Sequence, residues 1–193
     1  MKSLRERKKS ETRRRLAVAA VDLLIDEGDE GATVAAIAER AGVSARTFHN
    51  YFPKRDDAYL YFVDLVTEEW EKRFETLPSD DGPVRNVRTL LTEMLSPSEG
   101  NLISPVKLIQ LGEHIAVLFS KEERMCAKSK MRGLEDDMVE RYSDQFSRLE
   151  MQVLLPALFA GAGVAIERSI EDGADPIDYV NQAFDFFEER FGK

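Results

Sequence analysis

The sequence predicts an all-α chain, and three observations carry that expectation. Apolar residues recur three and four positions apart in one segment after another, which is the period of a helix with one buried face. Glycine and proline punctuate these segments, at Gly28, Gly42, Pro53, the run from Pro78 to Pro83, the run from Ser96 to Gly100 and the run from Gly173 to Pro176. The apolar–polar alternation of a half-buried strand is absent, as are internal repeats and low-complexity stretches.

Each element follows in order. Residues 1 to about 9 read as a basic mobile arm, either a solvated tail or a phosphate contact. Residues 10 to 27 form a helix with Leu16, Ala20, Leu23 and Leu24 inward, and Gly28 ends it. A loop spans 29 to 32. A long helix starts near Arg55 or Asp56 and runs to about Leu77, with Tyr59, Phe62, Val63, Val66, Trp70 and Phe74 on its apolar faces. At 1.5 Å per residue such a helix is a rod of roughly 30 Å. Helices at 84–96 and from Pro105 follow, and residues 117 to 143 read as one helix or two. An apolar helix covers about 146 to 170, where Pro156 is placed to kink it. The last amphipathic helix covers 177 to 190, with Val180, Phe184, Phe187 and Phe191 inward.

The stretch from Thr33 to Phe52 organises the rest. Thr33 is an N-cap, since its hydroxyl can accept a bond from an otherwise unpaired backbone N–H. Val34, Ile37, Ala38 and Ala41 make one apolar stripe, and Gly42 tolerates the left-handed backbone that ends a helix. Val43 plugs the turn. Ser44 caps a second helix whose Phe48 and Phe52 face inward, leaving Ala45, Arg46, Thr47, His49 and Asn50 mostly outward. Helix, glycine-containing turn, helix is the arrangement whose second helix enters a DNA major groove.

Composition sets limits. The 193 residues are 43% hydrophobic and 33% charged, which describes a globular chain with a real core. The single cysteine, Cys126, rules out an internal disulfide and, with two histidines, leaves no His/Cys metal cluster and no cofactor to propose. Burial as an inert thiol is the ordinary state for such a cysteine. No nucleophile–base pair or phosphate loop argues for an enzyme. No apolar run approaches the length needed to span a bilayer, and the charged N-terminus lacks the core of a signal peptide, which together favour the cytoplasm. The net charge of −9 divides unevenly: residues 1–57 hold 12 Lys/Arg against 10 Asp/Glu, whereas residues 58–193 hold 15 against 26. The acidic part should face away from phosphate.

Residues 10 to 65, and above all Arg46-Thr-Phe-His-Asn-Tyr-Phe-Pro53 with Gly28 before it, resemble the DNA-binding domain of tetracycline-repressor-type (TetR) transcriptional regulators. The remainder is similar to that family only in its helical plan. The resemblance implies an N-terminal three-helix helix-turn-helix domain (1–57) joined by a long helix to a C-terminal helical ligand-binding and dimerisation domain (58–193). It implies that Thr33 binds phosphate and that Ser44, Ala45, Arg46 and Thr47 meet the groove. Arg46 is the candidate base reader, since a guanidinium can bond both guanine acceptors, with a phosphate clamp as its other role. Asn50 would read a base or a phosphate. His49 and Tyr51 occupy the family's phosphate-contacting aromatic positions in swapped order, and Arg55 stands where the family usually has lysine. At Asp29 the family usually carries an apolar residue.

The resemblance also implies a homodimer through the last two helices, about 146–191, where Ala157, Ala160, Gly161 and Gly163 would permit close approach. It implies a pocket for a small apolar or amphipathic effector. Phe62, Trp70, Met94, His114, Met131 and Tyr142 are among the residues that would line it; core packing is the ordinary role for each, and Trp70, His114 and Tyr142 are offered as the ligand contacts. The expected function is therefore a sequence-specific, ligand-responsive repressor binding a palindromic operator. The alternative is a helical protein- or membrane-interaction module using the basic N-terminal helix, although that helix lacks the aromatic face of a surface-lying one.

Overall fold

The computed structural model describes residues 3–96 and 104–191, and within them the chain forms nine α-helices, one 3-10 turn and no strand. The helix α1 spans Leu4–Gly31, α2 Val34–Arg40, α3 Ala45–Tyr51, α4 Arg55–Thr76, α5 Gly82–Leu95, α6 Pro105–Leu118, α7 Lys121–Arg141, α8 Arg148–Asp172 and α9 Pro176–Phe191. The segment 97–103, which includes most of the expected loop at 96–100, lies outside the described residues.

The start of α1 corrects the expected arm. Ser3 Oγ accepts from the Glu6 N–H at 3.2 Å, and the Ser3 N–H donates to Glu6 Oε2 at 2.6 Å. This reciprocal cap satisfies two N–H groups that a helix start otherwise leaves unpaired, so the helix begins at Leu4 rather than near residue 10. Gly28 breaks it as expected, with φ +72°, and one further turn then runs to Gly31 where a loop was anticipated. Leu16, Ala20, Leu23 and Leu24 are all buried.

The helix α4 buries all six residues of its predicted apolar faces and packs against both α1 and α7. At its start the Lys54 N–H donates to Asp57 Oδ2 at 3.0 Å. Trp70 stacks on Phe159 of α8, ring centroids 5.2 Å apart and planes 8° from parallel. Residues 121–141 form one helix, begun by a second reciprocal cap between Ser120 and Glu123. Cys126 on α7 is exposed, which corrects the expected buried thiol. The helices α8 and α9 pack together, and α9 also rests on α5. Gly161 lets α8 and α9 approach closely, because a Cβ there would lie 2.6 Å from the Phe187 ring and force it to shift. The side chains of Met131 and Phe191 lie outside those described.

The reading that no segment has the length and apolarity of a membrane span is corrected by α8. By length and composition this 25-residue helix is long and apolar enough to cross a membrane, and only about a third of its apolar stretch is buried within the chain. Its polar residues are spaced widely enough that no unbroken apolar run reveals it, while the average does. Leu149, Val153 and Val164 are 70%, 64% and 65% exposed, and with Ala157 and Ala160 they fall at helical spacing on one uncovered face.

Tyr59 of α4 is fully buried against Phe119, and its hydroxyl has no hydrogen-bond partner. Burial pushes its pKa up to about 12. A group whose folded pKa is raised keeps its contribution below the unfolded pKa, about 10 for tyrosine, and loses it as pH climbs through the folded value. Stability should therefore fall between pH ~10 and ~12. Tyr59→Phe is expected to raise stability at neutral pH by about 1 kcal/mol, by removing an unpaired buried hydroxyl, and to flatten that alkaline loss. Denaturant unfolding at several pH values checks both.

Candidate nucleic-acid interface

The α2–α3 unit is fixed by its backbone. Gly42 has φ +69°; its N–H donates to Glu39 O at 2.9 Å, and the Val43 N–H donates to Ala38 O at 2.9 Å. These paired bonds close the end of α2, with half-buried Val43 as the apolar plug. Thr33 Oγ1 accepts from the Ala36 N–H at 3.2 Å, and Ser44 Oγ accepts from the Thr47 N–H at 3.1 Å. Phe48 and Phe52 are buried and lie 5.7 Å apart, which sets the rotation of α3 about its axis.

That rotation leaves Ala45, Arg46, His49 and Asn50 exposed along one face. Arg46 and Asn50 make no side-chain hydrogen bond or ion pair among the described residues. His49 is held edge-on against Phe48 at 5.6 Å. Thr47 is half-buried and its hydroxyl pairs with Ser44 at 2.9 Å, so it stands less free than the sequence suggested. Tyr51 is half-buried against the core.

Three arginines tie the unit to its neighbouring elements, Arg13 and Arg40 at the surface and Arg55 half-buried. Arg40 of α2 reaches Asp26 at 2.8 Å and Glu27 at 3.3 Å on α1. Arg13 of α1 lies over the Tyr61 ring at 4.0 Å and the Phe52 ring at 5.3 Å, so this cation rests on aromatic faces. Arg55 donates to Asp29 O at 2.8 Å and Ala32 O at 3.3 Å, and pairs with the Asp29 carboxylate. The unusual Asp29 thus receives a partner in the first residue of α4. None of these pairings was read from the sequence; complementary charge at Asp29 and Arg55 was the available signal, without a distance to connect it.

The ligand candidates are not brought together by any hydrogen bond or ring contact among the described residues. Trp70 is buried on Phe159, its indole N–H unpartnered. Tyr142 is buried against Phe74, and its hydroxyl accepts from Asn86 Nδ2 at 2.6 Å. His114 is half-buried, with Nδ1 2.9 Å from Gln110 O. The carboxylates and histidines offer no group of three or more that could hold a metal among the described residues.

Residues 16–61 match the family of bacterial regulatory proteins described as the tetR family. Over 82 residues the chain is 32% identical to the HTH-type transcriptional regulator TcmR of Streptomyces glaucescens, a match covering 42% of this chain and 36% of that protein. The chain therefore aligns with about a third of that relative's length. Among solved structures it is similar to the fatty acid degradation regulator FadR of Bacillus halodurans, with TM-score 0.70, 15% identity and coverage of 93% and 96% of the two chains. A transcriptional regulator from Rhodococcus sp. gives TM-score 0.65 at 17% identity, covering 92% and 96%. A protein from Saccharomonospora viridis in complex with choline gives 0.61 at 19%, covering 94% and 97%. At these identities the structural likeness concerns the fold.

Proposed function

We infer that this chain, which belongs to the tetR family of bacterial regulatory proteins, is a DNA-binding transcriptional regulator that represses from a palindromic operator as a ligand-responsive dimer. The observation that carries the reading is the exposed face of α3, where Arg46 and Asn50 project from a capped helix with no side-chain hydrogen bond or ion pair among the described residues. A rigid helix that presents a free guanidinium suits bidentate recognition of guanine. Thr33, Ser44, Ala45, Thr47, His49 and Tyr51 surround it as phosphate and groove contacts. Arg55, tied to Asp29 and Ala32, acts by fixing the last turn of α1 and its exit into α2, and any phosphate contact it makes uses a guanidinium already held in place.

Arg46→Ala is expected to weaken binding to a selected operator by about 1–3 kcal/mol, roughly 10- to 150-fold, and to relax preference at one base pair of each half-site. Its thermal unfolding should match that of the unsubstituted protein, because Arg46 is exposed and its side chain makes no hydrogen bond or ion pair among the described residues. Unchanged affinity and sequence preference would show that α3 is not the reading helix.

In this reading residues 1–57 bind DNA, and residues 58–193 bind the effector and form the dimer through α8 and α9. The effector is a small apolar or amphipathic molecule; one structural neighbour was solved with choline and another, the multidrug binding protein EbrR, with imidazole. Trp70, His114 and Tyr142 remain its candidate contacts. An effector works only by binding the state incompetent for DNA better than the competent one. A physical route for that coupling runs from α6 to α1, where Lys107 Nζ lies 2.6 Å from Asp22 Oδ1. Lys107→Met should cost little stability, about 0–1 kcal/mol as for other partly exposed pairs, yet lower operator affinity up to about fivefold by freeing α1. Asp22→Asn should act alike, and the double variant should add nothing further; additive losses would show that the pair does not act as one link.

A further inference from the structure

We propose that Leu4–Glu11, the first two turns of α1, form a rigid basic rod that grips the DNA backbone beyond the end of the recognition helix, an inference that rests on the DNA-binding reading above. Packing does not explain this segment, because every residue from Ser3 to Glu11 is exposed. It is nonetheless helical, held by the reciprocal Ser3–Glu6 cap. Arg5, Arg7, Lys8 and Lys9 crowd it, and their charged groups make no ion pair or hydrogen bond among the described residues.

That arrangement opposes the free helix in two ways. Cations in the first turns oppose the helix dipole, and Arg5 repels Lys8 and Lys9 at spacings of three and four residues. An anion beside the rod relieves both effects. The position of the rod says which anion. Arg13 anchors α1 over Phe52, the residue that ends α3, and over Tyr61. At 1.5 Å per residue the helix then continues about 12 Å back to Arg5, so the four cations extend from the end of the groove-reading element. The rod has no apolar face, Leu4 being its one apolar residue, which fits a phosphate backbone and not insertion into lipid.

The test compares the intact protein with the variant R5Q/R7Q/K8Q/K9Q, which keeps the Ser3–Glu6 cap and residues of good helix propensity. Binding to a random-sequence duplex is measured across a salt series, with the α7 variant K128Q/R132Q as control, in the part of α7 that runs toward Glu71 and away from the start of α4. The slope of log affinity against log salt should shrink by about 2 to 4, at roughly 0.9 for each phosphate that is no longer neutralised, and affinity at moderate salt should fall at least tenfold. The α7 control should keep the original slope, and R5K/R7K, which retains charge, should keep it as well. Helix content by circular dichroism should not differ by more than the short rod itself. An unchanged slope in the quadruple variant would overturn the rod while leaving the DNA-binding reading intact. An equal drop in the α7 control would overturn it too, by showing a bulk charge effect. Co-sedimentation with phosphatidylserine vesicles that the quadruple variant loses, at constant DNA slope, would reassign the rod to membranes. Failure of the intact protein to bind any duplex would end both readings.

Discussion

Phe48→Ala is expected to cost about 3–5 kcal/mol of stability and to abolish DNA binding by unseating α3. Phe48 is fully buried in a seven-residue helix, packed on Phe52 and edge-on to His49. So short a helix has no stability of its own; its place and rotation come from that ring. Whole domains are stable by only about 5–15 kcal/mol, so a loss of this size leaves the helix-turn-helix partly unfolded at ordinary temperature. Phe48→Leu should recover most of both properties, since it restores apolar volume. Paired measurements of thermal unfolding and duplex binding separate this from Arg46→Ala, where binding falls and unfolding does not move. A Phe48→Ala protein that binds DNA normally would mean that α3 is positioned by something other than its buried ring.

If the chain pairs through α8 as proposed, the double substitution Leu149→Glu/Val153→Glu is expected to leave it monomeric and to reduce operator affinity by about 10²- to 10⁴-fold. The two residues are 70% and 64% exposed on α8, and they border a cleft of about 520 Å³ lined also by Phe146, Leu154 and Phe187. Two carboxylates placed there face each other across a two-fold contact and lose water on association, which costs far more than the missing apolar area. Operator affinity falls because the second recognition helix no longer benefits from the effective concentration that linkage supplies. The fold of each chain should persist, since neither side chain contributes to the buried core. Sedimentation velocity and duplex binding report the two effects. An unsubstituted protein that already sediments as a monomer, or a variant that remains dimeric, would place the subunit contact elsewhere.

Much of this was legible in the sequence because the signals were local. Thr33, Gly42 and Ser44 announce the ends of α2 and α3 by residue type alone, and the structure gives each the predicted role. The apolar stripe of α4 was readable for the same reason. What escaped notice depended on distance or on reading a signal as something else. Ser3 and Glu6 spell a helix start, but the density of charge around them suggested a tail. The contact of exposed Arg13 with the rings of Phe52 and Tyr61 joins residues about 40 and 50 positions apart, which no local pattern announces. Asp29 looked like a blemish until Arg55 was found beside it. Tyr142 and Trp70 stood out as ligand candidates because aromatic residues with polar atoms serve cores and pockets equally well; periodicity reports that a residue is buried and not what it is buried against. The extent of α8 was legible, but its overall apolarity was masked by scattered polar residues, and its uncovered face was not anticipated.

Selection of bound duplexes from a random DNA pool, at low and at moderate salt, decides most. A two-fold-related pair of α3 helices should enrich an inverted repeat with half-site centres about one helical turn, roughly 34–36 Å, or a multiple apart. The motif should persist at the higher salt, because base contacts outlast the loss of phosphate attraction. Binding that enriches no motif and vanishes as salt rises would contradict sequence-specific regulation, leaving only a basic surface without a reading helix.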